Sequence, residues 1–462
     1  MLINFSVTNF LSFNQKTCFS MESGRVTKKP EHTLQDPVYS KSLLKFAAMY
    51  GKNGAGKTNF IRAVAVLRNF VLTGKLPQRA PILWCQILKE NETKPTDFEI
   101  SFIADKTLFE YKISIVLSTG IIIKEELAKV VGNRHTKLFS KEAIQNEYKF
   151  HHSIKGQNNN IEVLSQTFSM SGAPFLFNIN NNTAGFFAVN PQAVLLQKAF
   201  LWFKDTLEVL FPDQPLQETS LTQYEACKDE FTSLLKYFDT EIEDIELQPT
   251  SKEKVFENLD LRTQQKINTH ILLFTPFTQV LKFPAIGQKE IQVKANHFSS
   301  VIRNRRNIFF INYEKDGFKF YSIKFVHKFI GNTANFNMES ESDGTYRLFQ
   351  LLEILICNKE KVYIMDEMNR SLHPKLTVQF VKKFFSKAKD RRIQLITTTH
   401  ETRIMNHDTV RRDEIWLADK NEDKSTKLFS LEKKQVRIDK VLEENYINKE
   451  WGGVPEFEDE EK

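Results

Sequence analysis

The sequence predicts an α/β fold in which a mixed and parallel sheet is flanked by helices, preceded by an antiparallel β region and interrupted by a helical insertion. Three observations predict it. An apolar run, Leu43 to Tyr50, leads into the octet Gly51-Lys52-Asn53-Gly54-Ala55-Gly56-Lys57-Thr58 and then into Asn59 to Leu67, whose apolar residues fall on one helical face. That is a strand–loop–helix unit. A second apolar run, Lys361 to Met365, ends in Asp366-Glu367. The first twenty residues alternate through Leu2, Ile3, Phe5, Val7, Phe10, Leu11, Phe13 and Phe19, the pattern of half-buried strands.

The other elements follow in order. Residues 21 to 42 are polar and carry Gly24, Pro30, Pro37 and Ser42; they predict a surface loop or mobile arm, long for a connection. Ile100 to Ile103 and Leu108 to Val116 read as antiparallel partners, with Ile121 to Leu127 next. From about 188 to 275 the pattern predicts helices, opening with Ala193 to Phe203. Tyr224 to Tyr237 is a further helix, and the charge-rich stretch Ser251 to Asn268 a lid or short helical projection. Strands return at Ile308 to Tyr313 and Phe318 to Ile323, joined by the turn Glu314-Lys315-Asp316-Gly317. Glu341-Ser342-Asp343-Gly344-Thr345 precedes the apolar helix Leu348 to Leu355, and Ile393 to His400 is a short strand whose last residue is the histidine.

At 462 residues the chain exceeds one compact unit and predicts two or three domains. Forty phenylalanines make aromatic packing a main part of the core, and segments such as Phe98-Glu99-Ile100-Ser101-Phe102 read as core strands rather than stacking platforms. A net charge of +7 permits contact with nucleic acid without demonstrating it. Cys18, Cys85, Cys227 and Cys357 are scattered without metal-ligand spacing, so reduced thiols and a cytoplasmic location are expected. The opening residues lack the basic and apolar regions of a secretory signal. No run approaches the roughly eighteen apolar residues of a membrane span.

The octet carries the chemistry. Its glycines let the backbone curl so that N–H groups face phosphate oxygens, and the next helix adds its positive end. In that setting Lys57 reaches the β- and γ-phosphates of a nucleotide and the Thr58 hydroxyl sits on Mg²⁺. Asp366 is assigned to the metal shell and Glu367 to the general base that activates water. His400, at a strand end, suits contact with a γ-phosphate or plain local hydrogen bonding. Ser342 and Gly344, at a helix start, suit an anion nest or a plain N-cap.

In this order the motifs resemble the ATP-binding-cassette (ABC) ATPases related to the SMC and OLD proteins, and within them the AAA15 (AbiLi-like) group of prokaryotic abortive-infection and phage-defence loci. Phe5 to Phe13 resembles the family's first strand and turn, Gly51 to Thr58 its Walker A element and Glu341 to Thr345 its signature element. Ile364 to Glu367 resembles Walker B, Asn369-Arg370-Ser371-Leu372-His373-Pro374 the D-loop, His400 the switch histidine and Tyr446 to Pro455 the family's tail.

The resemblance implies an ABC-type P-loop head divided as 1–187 (Walker A lobe), 188–300 (helical insertion or lid) and 301–462 (lobe with signature, Walker B, D-loop and switch). It implies Mg²⁺-dependent ATP hydrolysis, with Gly51 to Asn59 on the nucleotide, Thr58 and Asp366 on the metal, and Lys57, Glu367 and His400 catalytic. It also implies a head-to-head dimer, or a higher oligomer of dimers, in which Ser342 and Gly344 cover the partner's nucleotide. Expected partners are a separate effector such as a TOPRIM-like, RloB-like or HNH nuclease, and a phage trigger protein or DNA. A DNA-repair or DNA-remodelling ATPase is the alternative, favoured by Lys382, Lys383, Lys387, Lys389, Arg391 and Arg392. Asp343 stands where the common signature has its first glycine, and Gln86 is a weak candidate for the glutamine loop. No coiled-coil arm or zinc hook appears, and the stretch from His400 to Lys462 is not expected to hold a TOPRIM domain.

Overall fold

The structure, a computed structural model, describes residues 1–144, 147–154, 161, 163–164, 167, 172–181, 186–212, 224–257, 259, 261, 264–265, 268, 299–304, 306–314, 317–433, 442–448 and 451–454. Two compact units divide the chain: Met1–Gln214 with Lys359–Lys462, and the inserted Pro215–Asn358.

In the first unit, β1 (Leu2–Thr8) and β2 (Thr17–Ser20) begin the chain, and β3 (Thr33–Leu34) pairs with β4 (Leu43–Leu44). Strand β5 (Phe46–Tyr50) precedes the glycine-rich loop and helix α1 (Lys57–Thr73). Then come β6 (Thr96–Ala104), β7 (Thr107–Val116), β8 (Ile121–Val131), β9 (Arg134–Ile144) and β10 (Glu147–His152). Helices α2 (Phe175–Asn181), α3 (Phe186–Val189) and α4 (Val194–Leu201) lead to β11 (Leu207–Leu210).

The inserted unit contains α5 (Tyr224–Tyr237), β12 (Ile242–Thr250), α6 (Lys252–Phe256), β13 (Ser299–Asn304), β14 (Asn307–Glu314), β15 (Gly317–Phe329), β16 (Asn332–Phe336) and α7 (Asp343–Ile356). Its sheet runs β12-β15-β14-β13, with β16 also on β15. The first unit then resumes with β17 (Lys361–Met365), α8 (Pro374–Ala388), β18 (Ile393–Thr398), β19 (Ile415–Lys420), β20 (Thr426–Ser430) and α9 (Leu442–Ile447).

Two sheets organise the first unit. One is antiparallel, in the order β10-β9-β8-β7-β6-β1-β2, and the other runs β11-β17-β18-β5-β19-β20, parallel except for its last pair. Strands β5, β17 and β18 are buried at every residue, which is why they read as unbroken apolar runs rather than alternating ones. Helix α1 buries Phe60, Ile61, Val64, Leu67 and Phe70 in a core shared with Phe5 and Phe98 of one sheet and Met49, Ile364 and Ile396 of the other. Phe60 meets Phe5 edge-on at 5.5 Å, a favoured aromatic geometry. The lattice of rings foretold by composition extends through Phe102, Trp202 and Phe203.

Two expectations need correction. Residues 21–42 are not a loose arm: His32 and Asp36 are buried, and His32 Nδ1 lies 3.0 Å from the Glu414 carboxylate. Arg411 donates to the Lys28 carbonyl at 3.0 Å, and Arg392 pairs with Asp36 at 2.7 Å. Charged residues distant in sequence hold this polar segment down. The stretch predicted as helical from 188 to 275 also contains two strands. Leu207–Leu210 adds in parallel to β17, and Ile242–Thr250 pairs antiparallel with β15. The first is four residues long and fully buried, too short to display a period. Residues 258, 260, 262–263 and 266–267 of the predicted lid lie outside the described residues; α6 forms its beginning.

Candidate functional site

The strand order β17-β18-β5 brings three carboxyl ends side by side, with Met365 opposite Thr397 and Thr398 opposite Met49. Ligands of open α/β sheets bind outside such ends. The residues that follow the three strands line one cavity of about 260 Å³: Asn53, Gly54, Ala55, Gly56, Lys57, Thr58, Asn59, Asp366, Glu367, Thr398 and His400. Gly51 and Lys52 begin the loop but do not line it.

The loop's shape depends on missing side chains at two points. Gly56 has φ +107°, and a Cβ there would stand 2.1 Å from Thr426 Oγ1 and 2.8 Å from Ser12 Oγ. At Gly51 a Cβ would meet the Ala418 carbonyl oxygen at 2.4 Å. Helix α1 begins directly behind Gly56, with no side-chain cap and no acidic residue in its first turn. An uncapped helix start of this kind presents N–H groups to an anion.

Lys57 folds back along the loop, donating to the Gly51 carbonyl at 2.6 Å and the Lys52 carbonyl at 3.3 Å. Burial lowers its ammonium to about 8, against the opposing charges of Asp366 and Glu367. Thr58 Oγ1 is 3.3 Å from Asp366 Oδ1, and that same oxygen accepts from Thr398 Oγ1 at 2.5 Å. Thr398 also accepts the Glu367 N–H at 2.8 Å, so a single hydroxyl orders both carboxylate residues. Glu367 itself has φ +47°, a left-handed conformation costly for a side chain of this kind. Burial, then the Lys57 charge, lowers His400 below the usual histidine range.

Sequence reasoning missed the supports. Asn369 Oδ1 accepts from Thr399 Oγ1 at 2.9 Å and from the His400 N–H at 3.4 Å, joining the turn after β17 to the end of β18. Thr426 Oγ1 donates to the Ala55 carbonyl at 2.7 Å and lies 2.8 Å from Ser12 Oγ, while Asn59 donates to Ser12 at 2.9 Å. Ser12 lies within the Phe5–Phe13 segment, but nothing local signals Thr426. Gln86 donates to the Ile82 carbonyl at 3.0 Å and does not line the cavity.

Ser342 and Gly344 belong to the inserted unit. The Ser342 hydroxyl accepts the Thr345 N–H at 3.0 Å and caps α7, and Asp343 pairs with Arg306. A larger cleft, about 490 Å³, lies among Ser6, Cys18, Glu99 and Trp416 and shares no lining residue with the first. Among the described residues no cluster of three or more His, Cys, Asp or Glu could hold a metal, and no helix is long and apolar enough to cross a membrane.

The parallel sheet, its glycine-rich loop and the residues at its strand ends define a P-loop ATPase head of the ABC type. Residues 46–153 and 220–406 match the family described as "AAA domain, putative AbiEii toxin, Type IV TA system", and the chain belongs to it. Two solved structures are similar over most of their length. One is an SMC head bound to the C-winged helix domain of ScpA (12% identity, 94% of this chain and 98% of that one, TM-score 0.38). The other is the SMC head domain from Thermotoga maritima (12% identity, 93% and 98%, TM-score 0.33). No curated protein matches the chain.

Proposed function

We propose that this chain binds and hydrolyses ATP as the sensor and scaffold of an anti-phage, abortive-infection system, controlling a separate toxic effector, a nuclease. The observation that carries the enzymatic part is the meeting of Lys57, Thr58, Asp366, Glu367 and His400 around one cavity at an uncapped helix start. The finer grouping as AAA15 (AbiLi-like) rests on the motif order from Gly51 to His400.

The residues fit Mg²⁺ and a triphosphate. A hydroxyl and a carboxylate oxygen 3.3 Å apart match a hard cation that takes few protein ligands and completes its shell with phosphate and water. Mg²⁺ and ATP supply the metal's charge and the reacting phosphoryl group. Lys57 releases the Gly51 carbonyl and turns its ammonium to phosphate oxygens, while the first N–H groups of α1 orient them. Asp366, held by Thr398, stays in place as a metal ligand. Glu367 takes a proton from attacking water on its carboxylate, and its constrained backbone fixes that carboxylate's direction. His400, kept neutral by burial, offers one ring N–H to the γ-phosphate end. Ser342 and Gly344 would complete the site of a second copy in a head-to-head dimer or an oligomer of dimers.

The test has two parts. Glu367→Gln should bind ATP, accumulate as dimer and lose turnover; an unchanged turnover rate rejects Glu367 as base. Native purification should recover a nuclease (TOPRIM-like, RloB-like or HNH) with the chain, and release of it by a phage trigger protein or DNA completes the reading. The second reading, a DNA-repair or DNA-remodelling ATPase, draws on the basic run of α8 and its end. It is weakened because Arg392 is engaged by Asp36 and Glu360. A steep, salt-sensitive stimulation of turnover by duplex DNA would favour it.

A further inference from the structure

Residues 442–448 and 451–454 lie against both the start of the phosphate loop and the residues after His400. Tyr446 packs edge-on against Tyr50 at 5.9 Å and donates its hydroxyl to the Gly453 carbonyl at 3.1 Å. Gly453, at φ +78°, leaves so little space that a Cβ there would stand 3.3 Å from the Ala418 carbonyl oxygen and 3.5 Å from the Gly51 Cα. Gly452, at φ +81°, faces the end of the Asp419 side chain, whose Oδ2 a Cβ would meet at 2.6 Å. These glycines let the segment close directly over the first glycine of the loop.

One helical turn earlier, Glu443 accepts the Thr402 hydroxyl at 2.6 Å. Tyr50, the last residue of β5, donates to the Glu401 carbonyl at 3.1 Å. The six-residue helix α9 therefore touches the two sides of the nucleotide cavity from behind: Tyr50–Gly51 through Tyr446, and Glu401–Thr402 through Glu443.

We propose that α9 and the Gly452–Gly453 turn are a brace that positions the phosphate loop and the His400 segment relative to each other. Tyr446 and Glu443 are its positioning residues. They act through Gly51 and Thr402 and touch no substrate themselves. Tyr446 supports the binding loop, so its loss weakens nucleotide binding. Glu443 supports the segment after the switch histidine, so its loss slows turnover. The kinetic part rests on the ATPase reading of the cavity; the mechanical part does not.

The experiment uses the full chain with three substitutions, Tyr446→Phe, Glu443→Ala and Glu443→Gln, and two readouts. Amide hydrogen exchange without nucleotide is followed over 46–58 and 396–404. Glu443→Ala should speed exchange several-fold in both stretches, and Glu443→Gln, whose amide oxygen still accepts from Thr402, should restore it. Tyr446→Phe should speed exchange in 46–58. With ATP, Tyr446→Phe should raise KM several-fold at near-parent kcat, and Glu443→Ala, which loosens both stretches, should raise KM and also lower kcat several-fold, with Glu443→Gln restoring both. Exchange in 46–58 that ignores Glu443→Ala overturns the proposal. So does a rise spread evenly over the chain with a lower melting midpoint. If the parent binds no ATP, the cavity reading falls, while the exchange data still decide whether the brace exists.

Discussion

Gly56→Ala, taken alone and with Thr426→Ala, probes how the loop is held open for phosphate. Gly56 sits at φ +107° and ψ 7°, where a side chain costs about 1–3 kcal/mol. Its new methyl would stand 2.1 Å from Thr426 Oγ1 and push that hydroxyl away from Ala55 and Ser12, at about 1 kcal/mol for each hydrogen bond broken. The sum, about 3–5 kcal/mol, corresponds to a roughly 150- to 5,000-fold loss of nucleotide affinity if it falls on the loop alone. Thr426→Ala alone forfeits the two hydrogen bonds but keeps the glycine, about 2 kcal/mol. In that background the new methyl no longer meets Thr426 and still meets the Ser12 hydroxyl at 2.8 Å, a side-chain end that can turn aside, so the backbone part dominates and the two changes should couple by about 2 kcal/mol. Equilibrium binding of a fluorescent ATP analogue to the four proteins gives the cycle, with melting midpoints to exclude global unfolding. Strict additivity, or an affinity untouched by Gly56→Ala, would mean that the Thr426 hydroxyl does not wall the loop.

Other predictions follow from single groups. Glu367→Gln should cut turnover by about 10²- to 10⁴-fold with ATP affinity retained, read by phosphate release and binding in parallel. Arg411→Ala removes a buried guanidinium that pairs with Asp413 at 2.6 Å and holds the Lys28 carbonyl, which should destabilise the chain by about 3–5 kcal/mol and open residues 21–42 to limited proteolysis. The pair His32 and Glu414 should shape stability against pH. Burial drives the imidazole down from 6.5 to about 3 and the carboxyl well above 4.5. The depressed imidazole contributes stability that is full above pH 6.5 and lost as pH falls. The raised carboxyl contributes stability that is full below pH 4.5 and lost as pH rises. The slopes cancel between those values, and outside them the pair costs up to about 1.4 kcal/mol per pH unit. Glu414→Gln should abolish the alkaline part of this decline in urea midpoints; a decline that persists unchanged assigns it to other groups.

What could be read in advance depended on whether the signal was local. β5, β17 and β18 are buried on both faces, so each shows as an apolar run, and each leads within one or two residues to one whose chemistry is recognisable: Gly51, Asp366 and His400. The pairs β6–β7 and β14–β15 are also local, each formed by strands next to each other in sequence, and β6 and β7 alternate buried and half-buried residues along most of their length. β11 gave no such signal because four fully buried residues have no period to display. The arm at 21–42 looked unstructured because its partners, Arg392, Arg411 and Glu414, lie over 350 residues further on. Ser12 and Thr426 are the same case within the site: two hydroxyls 414 positions apart that meet only once the sheets are closed. Contacts across such separations leave no mark in composition or spacing.

The chemistry throughout depends on the loop after β5 and the carboxylates after β17 forming one site for a single magnesium-bound triphosphate. Equilibrium binding of ATP, with and without Mg²⁺, to the parent chain and to Lys57→Ala decides whether they do. Binding by the parent should depend on Mg²⁺. Lys57→Ala should bind more weakly by roughly two powers of ten or more at an unchanged melting midpoint, because phosphate then has no charge-assisted hydrogen bond from the lysine. Equal affinity in the two proteins would overturn the single-site reading.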